Sequence, residues 1–364
     1  MPSPRPVHMA RWCVTGVSIV LVALALAACA TSTNDSSTTA LAARSVATTS
    51  SSSPTSSASA TVATQPTGTG TATGTGTGTT GASALPGYGK PVVTIGDKNY
   101  TEQFVLGQLY LQALQAEGFT VNLNDNIGPT EVTTQALSAG TLAMYPEYLD
   151  LFNTAVAGYQ HAFKTQFDAY AAAQRYALAH GLDLLSPTPF SDTDAIGVTV
   201  AYAATNRLRT IGDLRRVATS LTVGGPPQFQ QDAPGLTEIE QAYGVTPAAF
   251  KVLAVGDQYA ALNDGLVGAA DVNTTDGQLS SGDYVLLRDP HKIFGWGNVV
   301  PVLSAKALAA EGPAFATTID RVDAALTTSA MRQLNSDVDV AQQNPATVAK
   351  QFLETHGLLT PAPS

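Results

Sequence analysis

Residues 91–364 predict an α/β fold. Apolar runs of strand length alternate with stretches of helical period. The segment is long enough to bury two lobes, each with its own core. Nothing after the N-terminal region offers about twenty consecutive apolar residues, so this part is expected to lie outside a membrane and to form no channel.

The elements follow in order. Residues 92–95 read as a buried strand. From 99 to 117, Leu106, Leu109, Tyr110, Ala113 and Leu114 share one helix face, with Asn99 and Glu102 spaced as a capping box and Gly118 as the stop. Strand 119–123, helix 129–139, strand 141–145 and helix 164–180 complete a first series. A second begins near Ala195: strand 196–202, helix 211–217 capped by Thr210, strand 221–224, helix 236–243, strand 252–255, helix 258–264, and strands 269–272 and 284–287. The chain returns through strand 299–303 and closes with helices 313–328, 331–343 and 345–355.

The N-terminus carries an export signal. Arg5 and Arg11 precede an apolar run, 17–28, that is too short for a stable membrane-spanning helix and suits a signal peptide. The run ends Leu26-Ala-Ala-Cys29, a lipobox pattern in which Cys29 is lipidated and becomes the mature N-terminus after residues 1–28 are removed. Secretion as a soluble protein, with Cys29 incidental, is the other reading. The only other cysteine, Cys13, lies in the removed segment, so the mature chain has no disulfide and no cysteine metal cluster. Residues 29–90 are Thr, Ser, Ala, Gly and Pro almost throughout, a composition that cannot bury a core. A flexible leash of about sixty residues reaches roughly 45 Å. The expected product is an extracytoplasmic domain anchored by lipid to the outer face of the cell membrane.

Catalytic chemistry finds few handholds. The formal net charge of −10 becomes more negative when Arg5 and Arg11 are removed, and no basic cluster offers itself to nucleic acid. The histidines stand apart without metal-ligand spacing, so no metal is expected. No nucleophile elbow, phosphate loop or kinase motif occurs, and the G-x-G-x-x-G spelling at 76–81 lies in the leash with no strand before it and no helix after it. No cofactor is implied. Asp271-x-Asn273-x-Thr275-Asp276-Gly277 has the flavour of a calcium loop, but its Gly comes one place late and no closing Glu follows, which favours a polar turn. A carboxylate pair for acid/base work is left open. No catalytic residue is assigned.

At Val93-Thr-Ile-Gly-Asp-Lys-Asn-Tyr-Thr-Glu-Gln-Phe104 the chain resembles the opening of the glycine betaine/osmoprotectant-binding proteins of ABC importers. Gly128-Pro-Thr-Glu-Val132, Tyr145-Pro-Glu-Tyr148, Thr193 before a strand, Pro227-x-Phe229, Thr274-Thr-Asp-Gly277 and Asn298-x-x-Pro301 follow in that family's order and approximate spacing. The resemblance implies a two-lobed periplasmic-binding-protein fold of type II, with the ligand cleft between hinge-joined lobes. Lobe one would combine 91–193 with 298–364 and lobe two would be 194–297, with hinges near 192–195 and 296–298. It implies a monomeric, non-enzymatic receptor that hands a small-molecule solute to an ABC permease and its ATPase subunits, with membrane contact only through the lipid anchor. A surface-anchored hydrolase and a sensory or adhesion lipoprotein are the alternatives on such a fold.

The pocket departs from the family's pattern. Relatives hold a quaternary ammonium among four tyrosines, because aromatic faces attract a cation that cannot donate hydrogen bonds. Of that cage the resemblance keeps Tyr148, while the other three positions fall on Asp194, Asn273 and Gly297, with Trp296 beside the last as a replacement ring. The family's Thr three places after Tyr148 is Leu151, and its acidic residue is kept as Asp192. The arginine expected three residues after Phe229 is Asp232, leaving Lys98 as the matched cationic contact. Losing such a contact with its partner left buried costs about 2–5 kcal/mol. The ligand-contact set is therefore Lys98, Tyr148, Asp192, Asp194, Phe229, Asp232, Asn273 and Trp296, suited to a hydroxyl-rich, amine-bearing or aromatic solute. Each also has a plain structural reading: a turn cap at Asp192, a surface site at Asp194, core packing at Phe229 and Trp296, a solvated loop at Lys98.

Overall fold

The computed structural model describes residues 84–231 and 234–359. The export signal, Cys29, most of the leash and Asp232 lie outside the described residues.

Two five-stranded mixed sheets, each covered by helices on both faces, make a two-lobed α/β structure. The strands are β1 (Val93–Gly96), β2 (Val121–Asn124), β3 (Met144–Tyr148), β4 (Leu182–Leu184), β5 (Asp194–Thr199), β6 (Thr222–Gly225), β7 (Ala249–Val252), β8 (Ala269–Asn273), β9 (Tyr284–Leu286) and β10 (Val299–Ser304). One sheet runs β2-β1-β3-β10-β4 and the other β7-β6-β8-β5-β9. In each, three parallel strands are followed by one antiparallel strand, β10 or β5, that has crossed from the other lobe. The central strands β3 and β10 are buried on both faces, and β10 reads as a nearly continuous apolar run.

The first helix, Thr101–Ala116, packs Leu106, Leu109, Tyr110, Ala113 and Leu114 into the lobe-one core against Pro313–Ala325 and Pro345–Thr355. Gly118 ends it in the left-handed region at φ 83°, where a Cβ would also lie 2.7 Å from Leu85 Cβ. The Asn99/Glu102 capping box does not form. The N-cap is Tyr100, and Glu102 turns inward to a tertiary partner instead. Thr210 does start its helix with a reciprocal bond, its N–H donating to Asp213 Oδ2 at 2.9 Å.

Several boundaries move for physical reasons. Strand 141–145 is displaced to β3 because Pro146 and Glu147, which look like turn residues, are buried within it. The edge strand expected at 252–255 lies at β7, which is mostly exposed and so carries little apolar pattern. Strand 196–202 ends at Thr199, whose Oγ1 accepts from Tyr202 N at 3.1 Å and starts helix Val200–Asn206. Strand β4 and helices Pro227–Gln231 and Ala305–Glu311 have no counterpart in the sequence pattern.

The chain passes between the sheets twice, and the two passages touch. Ser191 bridges antiparallel to Asn298, and Asp192 N donates to Gly297 O at 2.9 Å. Asn298 Nδ2 donates to both Thr188 O and Phe190 O at 2.9 Å, tying the returning strand to the departing one. A Cβ at Gly297 would sit 1.6 Å from Asp192 O, so only glycine permits this approach. Among the described residues no helix is long and apolar enough to cross a membrane.

Candidate functional site

The loop from β1 into the first helix builds one wall. Asp97, buried behind it, accepts from Asn126 N at 2.6 Å, and burial lifts its carboxyl to about 7. Lys98 turns inward and is 1% exposed. Its Nζ pairs with Glu147, itself fully buried in β3, and donates to Thr130 Oγ1 at 2.9 Å. Burial pushes the Glu147 carboxyl up while the ammonium beside it pulls down. The Nζ also lies 5.2 Å from the centre of the Tyr148 ring.

Tyr148 covers this ion pair and is in turn covered by Tyr100, stacked at 5.9 Å and 22°. The Tyr148 hydroxyl donates to Glu102 Oε1 at 2.8 Å. Glu102 Oε2 accepts from Asn335 Nδ2 at 2.9 Å, and the same amide donates at 2.9 Å to Thr275 O in the other lobe. Buried polar atoms need such partners, and here they link the lobes. Arg332, one turn before Asn335, adds a second link, Nε to Thr274 O at 2.8 Å.

The opposite wall belongs to the second sheet. Asp194 and Asn273 sit directly across from each other on β5 and β8, and Asp271 lies two residues before Asn273 on the same face. Asp276 accepts from Asn273 N at 2.9 Å and from the Tyr259 hydroxyl at 2.8 Å.

Between the walls is a cavity of about 520 Å³. Tyr100, Glu102, Asn335 and Asp339 line it from lobe one, Asp194, Tyr259, Asp271, Asn273 and Asp276 from lobe two, and Asp192 from the crossing. Six of these carry carboxyl groups, and none of the described lining residues is Lys or Arg. Desolvation, then the neighbouring carboxylates, hold the acids up: Asp194 at about 6 beside Asp276, and Asp271 at about 9 beside Asp194 and Asp276. Asp192 is raised well above its ordinary value by burial and then by Glu102. Among the described residues no group of three or more His, Cys, Asp or Glu is placed to hold a metal ion.

The structure thus brings Asp192, Asp194 and Asn273 of the sequence-derived set together on the cavity. Four others stand elsewhere. Lys98 and Tyr148 lie beneath the Tyr100 ring rather than on the surface of the cavity, and Lys98 is no solvated loop lysine. Phe229 is 3% exposed in the lobe-two core, stacked on Phe294 at 6.2 Å. Trp296 packs towards lobe one, with Nε1 donating to Phe163 O at 3.0 Å and the Lys292 ammonium 5.4 Å from its ring. Asp232 lies outside the described residues. Tyr100, Glu102, Tyr259, Asp271, Asp276, Asn335 and Asp339 were missed. Glu102 looked like a capping residue, and Asp271 and Asp276 like turn residues. Asn335 and Asp339 reach the cavity from the far end of the sequence and carried no local signal.

The family described as the substrate binding domain of ABC-type glycine betaine transport systems matches residues 91–355. A glycine-betaine-binding protein of Pseudomonas aeruginosa is 31% identical over 73% of this chain and 88% of its own length. The Escherichia coli glycine betaine-binding protein YehZ is 29% identical over 76% of this chain and 94% of its own. Among solved structures, a glycine betaine/carnitine/choline ABC transporter protein superposes with a TM-score of 0.69 at 23% identity, covering 73% of this chain and 99% of that one. Apo YehZ superposes at 0.64 with 27% identity over the same shares.

Proposed function

We propose that this chain, which belongs to the family of substrate-binding domains of ABC-type glycine betaine transport systems, captures one small solute between its lobes and presents it to a membrane permease. Proteins of this family are extracytoplasmic solute-binding components that work with ABC permeases, not enzymes. The observation that carries the reading is the Tyr148–Glu102–Asn335–Thr275 chain of hydrogen bonds, which crosses from one lobe to the other at the edge of the cavity. Groups fixed across both lobes favour a cleft whose closing is coupled to what fills it.

In this reading 91–193 with 298–364 form lobe one and 194–297 form lobe two. The hinges lie near 192–195 and 296–298, where the two passages touch. Asp192, Asp194 and Asn273 contact the solute, while Lys98 and Tyr148 hold the wall behind Tyr100. Residues 1–28 act as export signal, Cys29 carries the lipid, and 29–90 form the leash of a monomer that performs no chemistry on its cargo.

Thermal unfolding of the purified chain across osmolytes, choline, amines, sugars and phenolics tests the receptor reading. A ligand at a hundred times its Kd adds about 2.7 kcal/mol of stability. Stabilisation by at least one of them, with the compound recovered unchanged, is the expected result; turnover of a bound compound would overturn it. Mass spectrometry of the mature N-terminus tests the anchor, which fails if Cys29 carries no acyl groups.

A further inference from the structure

Resting on that receptor reading, the geometry points to a narrower ligand class: an organic cation whose nitrogen donates hydrogen bonds and which carries no carboxylate, such as an amine or a guanidine.

Three lining side chains, Asp192 at the crossing and Asp271 and Asn335 in the two walls, each leave a buried oxygen without a hydrogen-bond partner. Asp271 is 5% exposed and lines the cavity, yet its Oδ1 has no hydrogen-bond partner in the structure. Asn335, also 5% exposed, lines the cavity from the other lobe, and its Oδ1 is likewise without a partner while its Nδ2 is fully used. Buried acceptors left unsatisfied are costly, so an occupant that satisfies them gains over one that does not. A quaternary ammonium has no N–H to offer these atoms. A primary ammonium has three and a guanidinium five.

Charge argues the same way. Acidic side chains from both lobes and from the crossing face the cavity. Lys98 is committed to Glu147 and Thr130 beneath Tyr148, and Arg332, off the lining, donates from Nε to Thr274 O with Asp276 as its acidic neighbour. A ligand carboxylate would face these carboxyl groups with no described cation on the lining to receive it. The carboxyls of Asp194 and Asp271, held up at about 6 and about 9 by desolvation and by their acidic neighbours, ionise when a cation lies between them. The rings of Tyr100 and Tyr259 leave flat surfaces for the ligand's apolar part.

Titration calorimetry on the full chain with agmatine, spermidine, choline and glycine betaine separates the classes. Agmatine or spermidine is expected to bind at least about tenfold tighter than the two quaternary compounds. The isosteric Asp271→Asn change should weaken the amine by about tenfold or more. Because that change removes a buried carboxyl, it should leave the fold intact, as circular dichroism will report. Asp194→Asn gives an independent second reading of the same effect. Tighter binding of glycine betaine or choline overturns this ligand class and leaves the receptor reading standing. So does an amine affinity indifferent to both substitutions. Failure of all four compounds also overturns the class, whereas the receptor reading falls only if the wider panel of osmolytes, sugars and phenolics is silent as well.

Discussion

The Tyr148 hydroxyl donates to Glu102 Oε1 at 2.8 Å across a sequence separation of 46. This bond ties Tyr148, which the resemblance assigns to ligand contact, into the wall of the cleft. Its ring faces Tyr100 on one side and the Lys98 ammonium on the other. Tyr148→Phe should therefore lower stability by about 1–2 kcal/mol in urea unfolding, because a buried carboxyl loses a donor. A variant as stable as the parent would show that this bond contributes nothing.

The Lys98–Glu147 pair is buried with both side chains at most 1% exposed. Removing one partner strands the other, at a cost of about 3–5 kcal/mol. Lys98→Met and Glu147→Gln are each expected to unfold at much lower denaturant, and the double variant is expected to recover part of the loss. Additive losses in that cycle would argue against direct coupling.

Gly297 approaches the Asp192 carbonyl so closely that a Cβ would overlap it at 1.6 Å. Gly297→Ala must push the two crossing passages apart and should cost at least about 2 kcal/mol of stability. It should also weaken ligand binding, since both walls hang from these passages. Unchanged melting and unchanged affinity would mean that the crossing yields freely.

Acid groups in the cleft hold protons that the unfolded chain releases. The Asp194 carboxyl rises from 3.8 to about 6 and Asp271 from 3.8 to about 9, with Asp276, Asp192 and Glu102 raised alongside them. Asp97 and Asp150, both at about 7, act in the same direction. Arg332 is a cation near Asp276, and Asp339 opposes it there. For groups raised on folding, stability is full below the unfolded value near 3.8 and is lost as pH climbs through the folded values. The melting temperature of the unliganded chain should fall from about pH 5 to about pH 9, and Asp271→Asn should flatten the upper part of that decline. A melting temperature that climbs over this interval contradicts the acidic cleft.

By itself the sequence determined the α/β alternation, the helix face of 99–117, the helices at 236–243 and 345–355, the glycine stop at Gly118 and the family. These depend on local period, on turn residues and on short motifs, all readable over a few neighbours. Through the family resemblance it also carried three residues of the cavity lining, Asp192, Asp194 and Asn273, which fall on that family's ligand-contact positions. Tertiary structure alone decided what Lys98, Tyr148, Phe229 and Trp296 pack against, since the sequence pattern around a cation or a ring is the same whichever neighbours it meets. It alone joined Glu102 to Asn335, residues 233 apart. Which way such side chains turn is settled by desolvation and hydrogen-bond satisfaction, and those depend on partners far away in the chain.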